Sequence, residues 1–298
     1  MTLPSRRALL AAPFLLAALP LRAQEQQPWT RERLLAAWAA SGRPVPNLTP
    51  DGFAAIQARR TRGLQRLGQY LTARFGEADP AVLRAFAEVP REFFHHNYEG
   101  NYATPWDAWE DNAKPWAVGF GSALSDYLGQ AYMTQVSAVK PEHVTLEIGT
   151  GSGFQSAILS RMARRSYSIE IIERLGRGVG PLGRALAYDN LETRVGDGFF
   201  GWPEVQGGFD LIIVTCAAQY APPALFQQLK PGGRLVIPIG QPFRRGQFLY
   251  IYTKDEEGKI HSRKDVGVFF IPMTGRMMQP GAQPPATTPA QAPAQPPA

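Results

Sequence analysis

The chain has 298 residues, 44% hydrophobic and 19% charged, a balance typical of globular proteins and unlike that of disordered or membrane-embedded chains. A single cysteine, Cys216, excludes an internal disulfide, and four scattered histidines show no metal-ligand spacing, so no metal site is expected. The formal net charge of +6 does not mark a nucleic-acid binder, because Arg6, Arg7 and Arg22 lie in an N-terminal segment without acidic residues and the remainder carries only +3.

Residues 1–23 read as an export signal: Ser5-Arg6-Arg7-Ala8-Leu9-Leu10 opens a short apolar run that ends at Leu21-Arg22-Ala23. The paired arginines favour the twin-arginine type, which places the mature protein in the periplasm or outside the cell; a frayed amphipathic N-terminus on a cytoplasmic protein is the alternative. The run is too short, and too broken by Pro13 and Pro20, to remain as a membrane anchor. At the other end, residues 279–298 are almost entirely Pro, Ala, Gln and Thr, without charges, and read as a disordered tail, since they carry too little apolar surface to offset ordering.

Residues 24–120 read as a helical and loop annex. Leu64, Leu67, Leu71 and Phe75 recur at three and four residues and share one helix face. Asp79-Pro80 is a cap followed by proline at the first helical position, and Pro90 ends that helix. Arg59, Arg60, Arg62 and Arg66 read as a solvated face. Between Arg91 and Phe120, three tryptophans among Asn, Pro and Gly indicate an ordered loop layer.

Residues 121–278 alternate strands and helices. Strands are expected at 144–148, 167–171, 191–195, 209–214 and 234–238; several are continuous apolar runs, as parallel strands buried on both faces require. Segments 247–253 and 266–271 alternate in polarity and read as antiparallel additions at one edge. The resulting fold class is α/β: a Rossmann-like, doubly wound and mostly parallel sheet with antiparallel edge additions and an N-terminal helical annex. Cys216, at the end of the apolar run from Leu211, reads as a buried small hydrophobe rather than a catalytic thiol.

The informative turn is Glu147-Ile148-Gly149-Thr150-Gly151-Ser152-Gly153-Phe154, which leaves a strand and opens a helix at the carboxyl end of the sheet. A dinucleotide fingerprint would place its third glycine at 154; here Phe154 stands there and the glycine falls at 153. That spacing, with Glu147 two residues ahead of Gly149, resembles the first motif of class I S-adenosylmethionine-dependent methyltransferases. Glu170, at the tip of the next strand, is the expected acceptor for ribose hydroxyls, with Glu173 the fallback. In Gly196-Asp197-Gly198, Asp197 reads either as an acceptor for the adenine amino group, with Gly198 beside it, or as an ordinary Asp-Gly turn.

The likeness narrows further. Val89-Pro90-Arg91-Glu92-Phe93-Phe94, residues 144–154, 167–170, 190–202, 209–215 and 228–240, and Phe270-Ile271-Pro272 resemble, in the same order, the protein-L-isoaspartate O-methyltransferases. The resemblance implies S-adenosyl-L-methionine as cofactor, isoaspartyl-containing proteins or peptides as methyl acceptors, and a monomer without nucleic-acid partner. It also carries the family's active-site serine onto Ser125 of Gly121-Ser122-Ala123-Leu124-Ser125-Asp126-Tyr127. That segment departs from the family's Gly-Gln-Thr-Ile-Ser-Gln-Pro at Ser122, Ala123, Asp126 and Tyr127, and a negative Asp126 beside a carboxylate site would weaken substrate binding unless it points away. Ser125 also reads as a helix N-cap. Two alternatives stay open: a related methyltransferase acting on another carboxylate or hydroxyl, and an exported, non-catalytic binding protein of the same fold.

Overall fold

The computed structural model describes residues 28–279; the export signal at 1–23 and all but the first residue of the expected tail lie outside that range. The annex opens with α1 (Arg31–Ala40), α2 (Pro50–Phe75), α3 (Pro80–Glu88) and the single turn α4 (Arg91–Phe94). Asp79 caps α3 by accepting the Ala81 amide at 2.8 Å, and proline at the next position removes a donor that would otherwise be orphaned. Leu67 and Leu71 are fully buried, with Leu64 and Phe75 packed beside them, as their spacing requires.

The arginine face of α2 is not uniformly solvated. Arg60 is buried and pairs with the buried carboxylate of Glu92 at 3.0 Å, while Glu92 also accepts the Trp109 indole N–H at 3.2 Å. Helical periodicity cannot foresee this, because the partner comes from α4 and the loop layer.

Within that layer lie the ribbons β1 (His96–Asn97) with β2 (Tyr102–Ala103), and β3 (Trp116–Gly119) with β4 (Ser122–Leu124). The β3–β4 hairpin pairs Trp116 with Leu124, so it bridges the 120/121 boundary drawn from sequence. One hydrophobic cluster runs from Trp38 through Phe93 and Phe154 to Ile251, joining annex and sheet.

The remaining elements are α5 (Tyr127–Ser137), β5 (Val144–Ile148), α6 (Phe154–Met162), β6 (Arg165–Glu170), α7 (Glu173–Val179), α8 (Leu182–Ala185), β7 (Leu191–Val195), β8 (Phe209–Val214), α9 (Pro223–Gln227), β9 (Leu229–Ile239), β10 (Gln247–Lys254) and β11 (Ile260–Val268). They build a seven-stranded sheet in the order β11-β10-β9-β8-β5-β6-β7, parallel from β9 to β7, with β10 antiparallel to both β9 and β11. This is the Rossmann-like α/β class. The chain reverses direction across the sheet at β5, flanked by β6 and β8, and such a switch point opens a crevice at the strands' carboxyl ends.

β6 and β10 differ from expectation by one or two residues at their ends, and two strands differ by more. β9 begins at Leu229 rather than 234, because Lys230-Pro231-Gly232-Gly233 is accommodated as an irregularity in its pairing with β8. β11 covers 260–268 rather than 266–271. Its first half is exposed and polar, so backbone pairing with β10 defines it and no apolar pattern announces it.

Candidate active site

The crevice is a cavity of about 360 Å³ above β5. Most of its wall comes from residues 120–125, the glycine loop with the ends of β6 and β7, Thr215-Cys216 after β8, and Ile271–Thr274 from the C-terminal segment. Glu147, Glu170 and Asp197 line it, and no Lys, Arg or His among the described residues does. A cavity with three carboxyl groups and no cation suits a cationic ligand rich in hydrogen-bond donors.

The glycine loop turns tightly, with Gly149, Gly151 and Gly153 all at positive φ. Its amides, that of Ser152 apart, are already in use. Those of Gly149 and Thr150 donate to the Ile169 carbonyl at 2.9 and 3.2 Å, that of Gly153 to the Thr150 carbonyl at 2.8 Å, and that of Phe154 to Ser152 Oγ at 3.3 Å. The Gly151 amide donates to Glu170 Oε2 at 2.9 Å. With these donors consumed internally the loop is not a phosphate cradle.

Glu170 reaches the turn on its other side as well, its Oε1 accepting the Ile172 amide at 2.9 Å. Burial raises its affinity for a proton, and these backbone donors oppose the shift. Glu173, the fallback acid, opens α7 in solvent, pairs with Arg177 at 2.5 Å and does not line the cavity. Gly153 also stands outside the lining: it caps α6 with its α-carbon facing Phe94 and Leu182.

Glu147 is 1% exposed. Its Oε2 accepts the hydroxyls of Ser156 and, at 2.8 Å, Ser168; with Ser168 so engaged, Thr150 Oγ1 donates to Ser168 Oγ at 2.6 Å. Its Oε1 is buried with no hydrogen-bond partner. Burial pushes this carboxyl up to about 8, the two serines oppose the shift, and nearby Glu170 adds to it. An unpartnered buried carboxylate oxygen in a cavity wall is costly unless a ligand N–H satisfies it.

Asp197 accepts the amides of Phe199 at 2.9 Å and Arg276 at 2.7 Å, which pins the C-terminal segment against the end of β7. Gly198 is required by close packing: a Cβ there would stand 2.2 Å from Ile148 Cγ2.

Ser125 lines the cavity, but it is not the N-cap of α5. Asp126 is, accepting the Gly129 amide at 2.8 Å. Neither Asp126 nor Tyr127 lines the cavity. The Tyr127 hydroxyl accepts from Arg66 at 2.8 Å and donates to the Glu110 carbonyl at 3.2 Å. Of the four departures in this segment, only Ser122 and Ala123 face the site. Cys216 is buried in the wall, and burial raises its thiol well above the usual range, which leaves it inert.

Sequence reasoning did not assign Gln130, Gln155, Thr215, Phe243 or residues 272–274 to the site. They come from five different elements or loops, and only the folded topology gathers them.

The family model described as protein-L-isoaspartate(D-aspartate) O-methyltransferase matches residues 65–278. Protein-L-isoaspartate O-methyltransferase 2 of Syntrophobacter fumaroxidans is 39% identical over 244 residues, covering 81% of this chain and 94% of the relative. Protein-L-isoaspartate O-methyltransferase 1 of Cupriavidus necator is 39% identical over 228 residues, covering 76% and 85%. In fold, the chain is similar to a solved protein-L-isoaspartate O-methyltransferase (TM-score 0.62, 24% identity, covering 73% of this chain and 67% of that one). A Plasmodium falciparum structure described as a putative member, in complex with S-adenosyl-L-homocysteine, gives a TM-score of 0.57 at 21% identity, covering 70% and 97%. The matched span includes the hairpin that carries Ser125, the glycine loop and the C-terminal wall of the cavity, and the chain belongs to the protein-L-isoaspartate(D-aspartate) O-methyltransferase family.

Proposed function

We propose that the protein transfers a methyl group from S-adenosyl-L-methionine to the free carboxylate of L-isoaspartyl residues in damaged proteins, the step that starts their repair. The observation that carries this reading is the cavity's chemistry: three carboxyl groups, no cation among the described residues and a glycine loop with every amide but that of Ser152 engaged internally. A phosphate-bearing dinucleotide would find no positive partner there. A ligand whose sulfonium and ammonium charges outweigh its single carboxylate, and whose ammonium, ribose hydroxyls and adenine amino group all donate, would find an acceptor for each donor.

The cofactor supplies, when bound, an activated methyl group on positively charged sulfur. The unpartnered Oε1 of Glu147 meets the ammonium, Glu170 accepts from the ribose hydroxyls, and Asp197 accepts from the adenine amino group. Ser125 donates a hydrogen bond that orients the acceptor carboxylate. That carboxylate already carries its nucleophilic oxygen at neutral pH, so the chain supplies no general base. Its contribution is alignment and exclusion of water, and alignment alone can be worth about 7–11 kcal/mol.

Because Asp126 serves as a helix cap outside the cavity, it does not oppose a carboxylate substrate. Residues 1–23 are proposed to export the protein, which acts as a monomer; among the described residues no helix is long and apolar enough to cross a membrane. The test offers the purified protein methyl-labelled S-adenosylmethionine with matched isoaspartyl and aspartyl peptides. Label on the isoaspartyl peptide alone is expected. Label on neither peptide, with cofactor still bound, rejects this acceptor and returns the reading to another methyl acceptor or to a binding protein.

A further inference from the structure

Arg91 lies behind the cavity, joins two of the residues that line it, Ser125 and Gln130, and is 1% exposed. Its Nε donates to the Ala108 carbonyl at 2.9 Å, its Nη2 to the Ser125 carbonyl at 2.7 Å, and its Nη1 to Gln130 Oε1 at 2.5 Å. The guanidinium sits 4.8 Å from the centre of the Phe154 ring, which opens the helix behind the glycine loop. It is thereby fixed from four directions.

A guanidinium has only donors to offer, so it selects one orientation of any amide it meets. Gln130 must turn its oxygen to Arg91, and its other terminus, the NH₂ group, faces elsewhere. Gln130 lines the cavity while only 7% exposed, and the NH₂ group is not among the buried polar atoms left without a partner. Its backbone is held too: the amide donates to the Asp126 carbonyl at 3.1 Å, and the carbonyl accepts from Thr134 Oγ1 at 2.8 Å. Gln130 and Ser125 are held by the two terminal nitrogens of one guanidinium, so they are neighbours.

We propose that the Gln130 side-chain NH₂, oriented by Arg91, is a second hydrogen-bond donor to the methyl acceptor's carboxylate, acting beside the Ser125 hydroxyl. This rests on the isoaspartyl reading above and extends it. The carboxylate has two oxygens, and methylation requires one of them to be aimed at the methyl carbon. Two donors fix the carboxylate plane where one leaves it free to rotate. Hydrogen bonds to a charged group are also the stronger kind.

The decisive variant is Gln130→Glu. It keeps an oxygen for Arg91, so a purely structural role is preserved, but it replaces the donor facing the cavity with an acceptor. Steady-state kinetics with an isoaspartyl peptide should show KM raised by about tenfold or more, with cofactor affinity by calorimetry unchanged. Gln130→Met, similar in volume and without a donor, should raise KM likewise and decides the matter if the Glu variant binds no cofactor. Parental KM in whichever variant binds cofactor overturns the proposal while leaving the isoaspartyl activity intact. Parent protein that binds cofactor yet methylates no isoaspartyl peptide overturns the functional reading, and this inference with it.

Discussion

The Glu170 carboxylate holds the Gly151 amide at 2.9 Å, and so the acid at the tip of β6 shapes the glycine loop beside which it would meet a ribose. One side chain therefore does two jobs, fixing the turn and offering its remaining lone pairs to the ligand. Glu170→Gln retains one accepting oxygen but sets an NH₂ against a backbone N–H. Leaving such a donor unsatisfied costs about 1–3 kcal/mol, so the affinity for S-adenosylhomocysteine should fall by about fivefold to 150-fold if the loop's binding conformation bears that cost. Titration calorimetry reads this directly, and parental affinity would remove Glu170 from the site.

Glu147 makes cofactor binding depend on pH. Burial pushes its carboxyl up to about 8 in the ligand-free protein, so near neutrality it is largely protonated. A ligand ammonium favours the ionised form. Binding therefore releases a proton below pH 8, and affinity weakens as pH falls, by at most about tenfold per unit. The same shift bears on stability: between 4.5, the ordinary value, and about 8 the folded protein keeps a proton that the unfolded chain has lost. Ligand-free stability should thus fall as pH rises through that window. Glu147→Gln should flatten both dependences, as measured by calorimetry in buffers of different ionisation enthalpy and by urea unfolding at several pH values.

Much of this was legible in the sequence because it is local. The bounds of β5 and β8 follow from apolar runs that a doubly buried parallel strand needs, and the glycine spacing with Glu170 in phase follows from the strand-turn-helix geometry. The failures are non-local. The polar first half of β11 is a strand only because β10 lies beside it. Arg60 leaves the solvated face only because Glu92 reaches it from α4. Gln130 lines the cavity from α5 and meets Arg91, 39 residues away, a pairing that only the folded chain brings about.

Asp126 should behave as a cap and not as a specificity residue. Asp126→Ala removes the acceptor for the Gly129 amide and should cost about 1 kcal/mol, whereas Asp126→Asn keeps an acceptor and should cost little. Neither should lower KM for an isoaspartyl peptide. Urea denaturation and steady-state kinetics on both variants check this; a lower KM in Asp126→Asn would show that its charge acts on the substrate after all.

Phe243 is 74% exposed, lines the cavity mouth and holds φ at 55°, a left-handed conformation that side chains rarely adopt. An exposed aromatic kept under backbone strain at a cavity mouth serves contact with substrate better than it serves stability. Phe243→Gly relieves the strain and removes the ring. Thermal stability should be unchanged or higher, while KM for the peptide rises and cofactor affinity stays the same. Lower stability with parental KM would assign the ring a packing role instead.

Gly198 is the tightest packing constraint at the cavity floor. A methyl group added there would meet Ile148 Cγ2 at 2.2 Å, inside any tolerable contact, and both residues line the cavity. Gly198→Ala should therefore destabilise by about 1–3 kcal/mol and weaken cofactor binding as Ile148 shifts into the ligand's space. Ile148→Ala alone should also destabilise, by about 2–5 kcal/mol, because it leaves a void in a buried strand. Together the two changes should cost less than their sum, since the added methyl fills part of the space that the isoleucine vacates. A double-mutant cycle by urea unfolding measures this coupling. Strict additivity would mean that Gly198 is required by its turn and not by its contact with β5.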